Sequence, residues 1–198
     1  MTTMKKMIFP LLLAGVCAVP SLAHAASTPY VSLSGGLGLL NNSTVDGNND
    51  EIKYKTGYLI NGAVGLKNED VRLEAEVGYH RNEVDSALDP EPRGAHVSMW
   101  TFMANGYYDI PMKDSVVSPY VMGGLGVADA SISGGNMSGS PSSTEFAWQV
   151  GAGAGIKVTN NATIDLGYRY LSPSDGSFGG TKVSLASSNI LAGIRYSF

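Results

Sequence analysis

Between Val71 and Arg81 the chain alternates without a break: Val71, Leu73, Ala75, Val77 and Tyr79 fall on one face of an extended strand, and Arg72, Glu74, Glu76 and His80 on the other. Such a strand needs an apolar surrounding on one side and a polar one on the other. A slip of a single residue would exchange the two faces. Segments with this period recur along the chain, separated by stretches rich in Gly, Ser, Asn, Asp and Pro. Eight are expected: Tyr30 to Leu40, Gly57 to Leu66, Val71 to Arg81, His96 to Ile110, Pro119 to Ser131, Glu145 to Val158, Thr163 to Leu171, and Lys182 to Phe198.

The other segments keep the same separation. Tyr58, Ile60, Val64 and Leu66 oppose Asn61; Phe146, Trp148, Val150 and Ile156 oppose Gln149 and Lys157; Ile164, Leu166, Tyr168 and Tyr170 oppose Asp165 and Arg169. The connections alternate in length. Lys67 to Asp70 and Thr159 to Ala162 are short and Pro111 to Ser118 is intermediate, while Asn41 to Lys55, Asn82 to Ala95, Ile132 to Thr144 and Ser172 to Thr181 are long. Short turns at one end and long loops at the other mark a membrane barrel with its short end periplasmic. The expected fold is all-β, an eight-stranded antiparallel up-and-down transmembrane β-barrel. Its outward aromatics fall into two bands, Tyr58, Tyr79, Trp100, Phe102, Phe146 and Trp148 towards the outer end, and Tyr108, Tyr196 and Phe198 towards the periplasmic end, as interfacial girdles require.

The first 25 residues point to the same compartment. Lys5 and Lys6 precede an apolar run from Met7 to Val19, and Ala23, His24 and Ala25 supply the small-residue cleavage pattern of a secretory signal. The run is shorter than the roughly 20 residues of a spanning helix. Cleavage after Ala25 is expected, which divides the chain into a signal peptide (1–25) and one barrel domain (26–198). It removes Cys17, the only cysteine, so no disulfide or thiolate metal site is expected in the mature chain. Cys17 also lacks the preceding residues of a lipoprotein signal. Loss of Lys5 and Lys6 leaves 11 basic against 17 acidic residues, a net charge of −6 that disfavours nucleic acid as a partner.

An eight-stranded barrel has room for little but side chains in its lumen. Arg72, Glu74, Glu76, Asp165, Arg169 and Arg195 all fall on the inward face and are expected to pair there, because an unpaired buried charge costs several kcal/mol. The alternative is a gated ion path along the same charges.

The phrases YVSLSGGLG (Tyr30 to Gly38), RLEAEVGY (Arg72 to Tyr79), MANGYYDI (Met103 to Ile110), PYVMGGLG (Pro119 to Gly126), DLGYRY (Asp165 to Tyr170) and NILAGIRYSF (Asn189 to Phe198), taken in this order, resemble the OmpA-like and opacity-type family of eight-stranded outer-membrane barrels. The resemblance covers essentially the whole mature length. It implies residence in the outer membrane of a Gram-negative bacterium, contact with outer-membrane lipid and lipopolysaccharide, and insertion by the barrel-assembly machinery. Ile190, Ala192, Ile194, Tyr196 and Phe198 match the alternating C-terminal pattern which that machinery reads. The family includes adhesins and structural proteins, so it implies a surface scaffold presenting four loops, with a small porin-like channel as the alternative. It names no extracellular ligand.

Other chemistries are weakly supported. His96 and Ser98 have the two-residue spacing of a barrel lipid A deacylase, but Met99 stands where that pattern has Asn, and no carboxylate is placed to orient the His. No catalytic residue is expected. His80 has no second ligand at metal spacing and reads as a solvated histidine of the lumen rim; Asp46, Asp50 and Glu51 lack the calcium-loop pattern. Neither a metal nor a cofactor is expected. The Gly clusters at Gly35 and Gly36, Gly123 to Gly126 and Gly151 to Gly155 are followed by no helix to receive a phosphate, and serve curvature and close packing.

Overall fold

The computed structural model describes residues 27–40, 43–45, 48–52, 56–83, 96–133, 142–174, 176–178, 181–183 and 186–198. In chain order its strands are β1 (Thr28–Leu40), β2 (Ser43–Val45), β3 (Asn48–Ile52), β4 (Gly57–Asn68), β5 (Val71–Glu83), β6 (His96–Asp109), β7 (Val117–Ser133), β8 (Ser142–Lys157), β9 (Ala162–Pro173), β10 (Gly176–Phe178), β11 (Thr181–Val183) and β12 (Ser187–Ser197). Eight of them close an antiparallel barrel in the order β1-β12-β9-β8-β7-β6-β5-β4. Each barrel strand neighbours the next one in sequence, and β12 closes the sheet on β1. A closed sheet leaves no edge with unpaired backbone groups, which is the condition for a strand to cross lipid.

The register fixes the barrel's shape. Following paired residues once around from Thr28, through Lys67, Arg72, Tyr107, Met122, Gly151, Arg169 and Asn189, returns to β1 at Gly38, ten residues further along. A stagger of this size accompanies strand tilts of about 35–45° and an interior that side chains can fill.

The eight expected segments are the eight barrel strands, with differences of one to five residues at their ends. β5, β7, β8 and β9 run past their expected outer ends, to Glu83, Ser133, Ser142 and Pro173. The last strand begins at Ser187 and not at Lys182, because Thr181–Val183 pairs instead with Gly176–Phe178 as a separate hairpin. Gly179 and Gly180 lie between those two strands, a pair favoured in two-residue hairpins. A second hairpin, β2–β3, occupies the first long connection. β11 lies beside β2 and β10 beside the outer end of β8. The short end is tight: Glu69 and Asp70 alone join β4 to β5, with Glu69 at a left-handed φ of 50°.

The alternation predicts which side chains meet lipid. Leu33, Leu37, Ile60, Val64, Val77, Leu125, Val150, Leu166, Ile190 and Ile194 are exposed on the outer surface, whereas Arg72, Glu74, Glu76, Asn105, Gln149 and Arg195 are buried in the lumen. Ring pairs mark the upper band, Tyr79 with Trp100 at 5.0 Å and Trp148 with Tyr170 at 5.7 Å between centroids; Tyr196 and Phe198 pair at 5.4 Å at the lower end.

Inside, glycine is required where the end of a tyrosine side chain presses against the sheet. Tyr120 covers Gly153 and Gly167, which face each other on β8 and β9, and a Cβ on either would stand about 2.5–2.6 Å from its hydroxyl. Outward-facing Gly62 has nothing within 4 Å of that position. Gly153→Ala is therefore expected to lower unfolding free energy by about 1–3 kcal/mol through overpacking, while Gly62→Ala is neutral or stabilises by up to about 1 kcal/mol. Denaturant unfolding of the two variants in micelles distinguishes them.

Candidate functional site

The lumen is filled in layers, and the first lies near the short-turn end. Arg72, the second residue of β5, is 2% exposed and binds Asp109 Oδ1 through Nε (3.0 Å) and Nη2 (2.8 Å). Its guanidinium lies 4.2 Å from the ring centre of Tyr107 and 5.1 Å from that of Tyr120, so charge and ring faces both stabilise it. Asp109 also accepts from Lys67 Nζ at 2.6 Å and lies 4.0 Å from Arg195. Arg195 in turn binds Asp165, Nη2 to Oδ1 at 3.2 Å; its Nε lies 3.1 Å from Oδ2 as an ion pair without a hydrogen bond.

A second layer crosses the middle of the barrel. Arg169 Nη1 donates to Glu76 Oε2 at 2.5 Å and Nη2 to the Tyr107 hydroxyl at 3.0 Å. Gln149 bridges Asn105 (2.7 Å) and Glu76 (3.4 Å). Glu74 is held differently: among the described residues no basic side chain lies within ion-pair distance, and its oxygens accept from Tyr107 (2.9 Å), Tyr30 (3.1 Å), Ser32 (3.3 Å) and Asn105 (3.4 Å). Four basic side chains, Lys67, Arg72, Arg169 and Arg195, thus face four acidic ones, Glu74, Glu76, Asp109 and Asp165. The formal charges of these eight side chains sum to zero.

Towards the long-connection end an apolar cluster joins buried His80, Thr101 and Ser187 in the lumen, which the inward polar pattern did not lead one to expect. Met99, Met103, Ala128, Ala130, Ala147 and Leu171 pack together across it. Beside them lie Asn61 and Asn189, whose buried Oδ1 atoms have no hydrogen-bond partner.

Of the six charges singled out in the sequence, all face the lumen, and two direct pairs join them: Arg169 with Glu76, and Arg195 with Asp165. Asp109, the partner of Arg72, was missed, as were the tyrosines that hold Glu74. Parity could have found them, since outward Tyr108 places Tyr107, Asn105 and Asp109 inward. His80 is buried, 8% exposed, and not a solvated rim residue. β5 continues to Glu83, which carries the strand's outer end three residues beyond His80. Ile190, Ala192, Ile194 and Tyr196 face outward on β12 and Phe198 follows it, its N–H donating to the Pro29 carbonyl at 3.1 Å. Ser98 Oγ lies 3.2 Å from Ser131 Oγ on the outer surface. The His96 side chain, the cleavage residues Ala23 and Ala25, and Asp46 lie outside the described residues.

Residues 9–198 match the model of the outer membrane protein beta-barrel domain. The chain belongs to that family. The OmpA-like resemblance read from the sequence agrees with it, and the chain is an outer-membrane barrel of a Gram-negative bacterium. Outer membrane protein PagN of Salmonella typhimurium is 34% identical over 122 residues, 52% of this chain and 51% of that protein. The chain thus spans about half the length of the curated relatives it matches. Among solved structures, Neisserial surface protein A aligns over 87% of this chain and 99% of its own, with a TM-score of 0.64 and 21% identity. Outer membrane protein H of Pseudomonas aeruginosa aligns over 86% and 99%, with a TM-score of 0.52 and 18% identity. The outer membrane protein beta-barrel domain accounts for the fold, and the lumen layers are what this sequence builds inside it.

Proposed function

We propose that this protein is a non-enzymatic surface scaffold whose lumen is plugged and whose four long outer connections carry its interactions. The observation that carries the reading is the filling of the lumen. A hydrogen-bonded charge network occupies the lower two layers and a cluster of Met, Leu and Ala side chains packs above them among buried His80, Thr101 and Ser187, so an ion would have to break buried pairs and then pass a packed cluster. A rigid barrel with long connections at one end is also the arrangement in which loops carry recognition. The extracellular ligand is one that those connections select.

The test is conductance of the refolded mature protein in a planar bilayer, with heat-modifiable gel mobility as the check on folding. Little or no conductance from a heat-modifiable barrel is the expected result. Reproducible discrete openings would instead make the lumen charges a porin-like path.

The same reading assigns Ile190, Ala192, Ile194, Tyr196 and Phe198 to recognition by the barrel-assembly machinery, with the signal peptide ending at Ala25. Phe198 is 69% exposed and its ring contacts only Tyr196 among the described aromatics, so little packing depends on it. Phe198→Ala is expected to lower the folded yield in cells severalfold while changing the stability of the refolded barrel by less than about 1 kcal/mol. An unchanged cellular yield would remove the assembly role.

A further inference from the structure

Beside the apolar cluster, on the β4–β6 side of the lumen, three polar groups turn towards one glycine. Asn61, Gly78 and Thr101 form a single row across β4, β5 and β6, and His80 lies two residues along β5 on the same face. Asn61, Thr101 and His80 are 4%, 1% and 8% exposed. A Cβ on Gly78 would press on Thr101 Oγ1 and would stand 2.5 Å from Asn61 Oδ1 and 3.3 Å from His80 Nε2. The bare glycine therefore lets two oxygens and a ring nitrogen, from three strands, converge on one place.

Such a convergence needs a shared partner. Asn61 Nδ2 donates to Ser34 Oγ at 3.4 Å, and its buried Oδ1 has no hydrogen-bond partner. Neither the Thr101 hydroxyl nor the His80 ring is hydrogen-bonded to another described residue. Buried polar groups left in this state carry the whole cost of their desolvation. The other unpartnered amide oxygen, Asn189 Oδ1, differs: around the Cβ position of Gly38 its one neighbour within 4 Å is Leu59 Cδ2, so no hydroxyl or ring nitrogen meets it there.

We propose that Asn61, Thr101 and His80 hold one internal water molecule. A buried water makes about three hydrogen bonds, at about 2.7–3.2 Å. Here it donates to Asn61 Oδ1 and His80 Nε2 and accepts from the Thr101 hydroxyl, which leaves the imidazole proton on Nδ1. All three groups are uncharged in this arrangement, and Glu76, two residues before Gly78 on the same face, is committed to Arg169. A buried metal cation would lack the anionic oxygen it needs, whereas a neutral molecule fits. The water ties β4, β5 and β6 together just beyond the Arg169–Glu76 pair, and through Asn61 and Ser34 it extends the lumen hydrogen bonding to β1. The site depends on the packing of the lumen and not on what the long connections bind.

The experiment is a crystal structure of the mature barrel together with solid-state NMR of the barrel in lipid, reading magnetisation transfer from water to Asn61 Cγ and the His80 ring. One density peak about 2.7–3.2 Å from all three groups is expected. Thr101→Val removes the hydroxyl with little change of volume, and should lose the peak and lower the transfer severalfold; Thr101→Ser keeps the hydroxyl and should retain both. Each variant is checked for heat-modifiable mobility, and if Thr101→Val does not fold, the wild-type peak and transfer decide by themselves. Three groups that close on one another with no density between them, or equal transfer in Thr101→Val and wild type, would overturn the site. Contacts shorter than about 2.5 Å with an anomalous signal would make the ligand a metal ion and overturn the water assignment.

Discussion

Replacing Arg169 with Ala is expected to destabilise the barrel by about 3–5 kcal/mol, the cost of leaving a buried carboxylate without its partner. Arg169 is the only basic group within ion-pair distance of Glu76 among the described residues, and it also donates to the Tyr107 hydroxyl. Without it Glu76 keeps only the 3.4 Å bond from Gln149. The second substitution Glu76→Gln removes the orphaned charge and should restore about half or more of the loss, because a neutral amide needs no counter-ion. Guanidinium unfolding of the single and double variants in micelles measures both, and the double-mutant cycle isolates the pair. A loss below about 1 kcal/mol for Arg169→Ala, or no recovery in the double variant, would show that the mid-barrel pair does not hold the lumen together. If the lumen is plugged as proposed, conductance of the single variant should remain low as long as the barrel is folded, since the Met and Leu layer above the pair is untouched.

Val77→Arg should cost about 2–4 kcal/mol, and the loss should come from lipid and not from packing. Val77 is the central residue of the thirteen in β5, faces outward, and is 42% exposed. Its register partners Gly62 and Phe102 offer no counter-charge. The same change at Val71, the first residue of β5, places the guanidinium near the periplasmic headgroups and should cost about 0–1 kcal/mol. Unfolding in lipid vesicles compared across the two positions reads the depth dependence. Equal costs at both would mean that the strand does not cross the bilayer in the way its two faces imply.

Strand parity was legible at once because its cause is local. Side chains alternate across an extended backbone whatever the strand pairs with, so Val71 to Arg81 could be divided into a lipid face and a lumen face without knowing a single neighbour. The strand count and the alternation of short and long connections followed from the same pattern and from breaker residues. Strand ends were less legible. Lys182 was expected in the last barrel strand, yet residues on both sides of Gly179 and Gly180 pair with each other first, and only the register distinguishes a hairpin from an extension of the barrel.

Partnership within the lumen needed the closed barrel. Arg72 and Glu76 lie four residues apart on one strand, but one is held by Asp109 on β6 and the other by Arg169 on β9, across the interior. The stagger of ten residues decides which inward side chains share a height, and no local pattern encodes that number. It brings Tyr30, Tyr107 and Ser32 around Glu74, so that a carboxylate expected to find an arginine is held by hydroxyls. It also collects Met99, Met103 and Leu171 from β6 and β9 into an apolar layer that no single strand displays as such. The sequence by itself determined that the chain forms strands, which face of each meets lipid, and that charges at the middle of the bilayer must lie inside, because those depend on backbone alternation and on the cost of charge in hydrocarbon. Which charge meets which, and where an apolar cluster interrupts the polar lining, was decided by tertiary structure, because both depend on the relative heights of strands far apart in the chain.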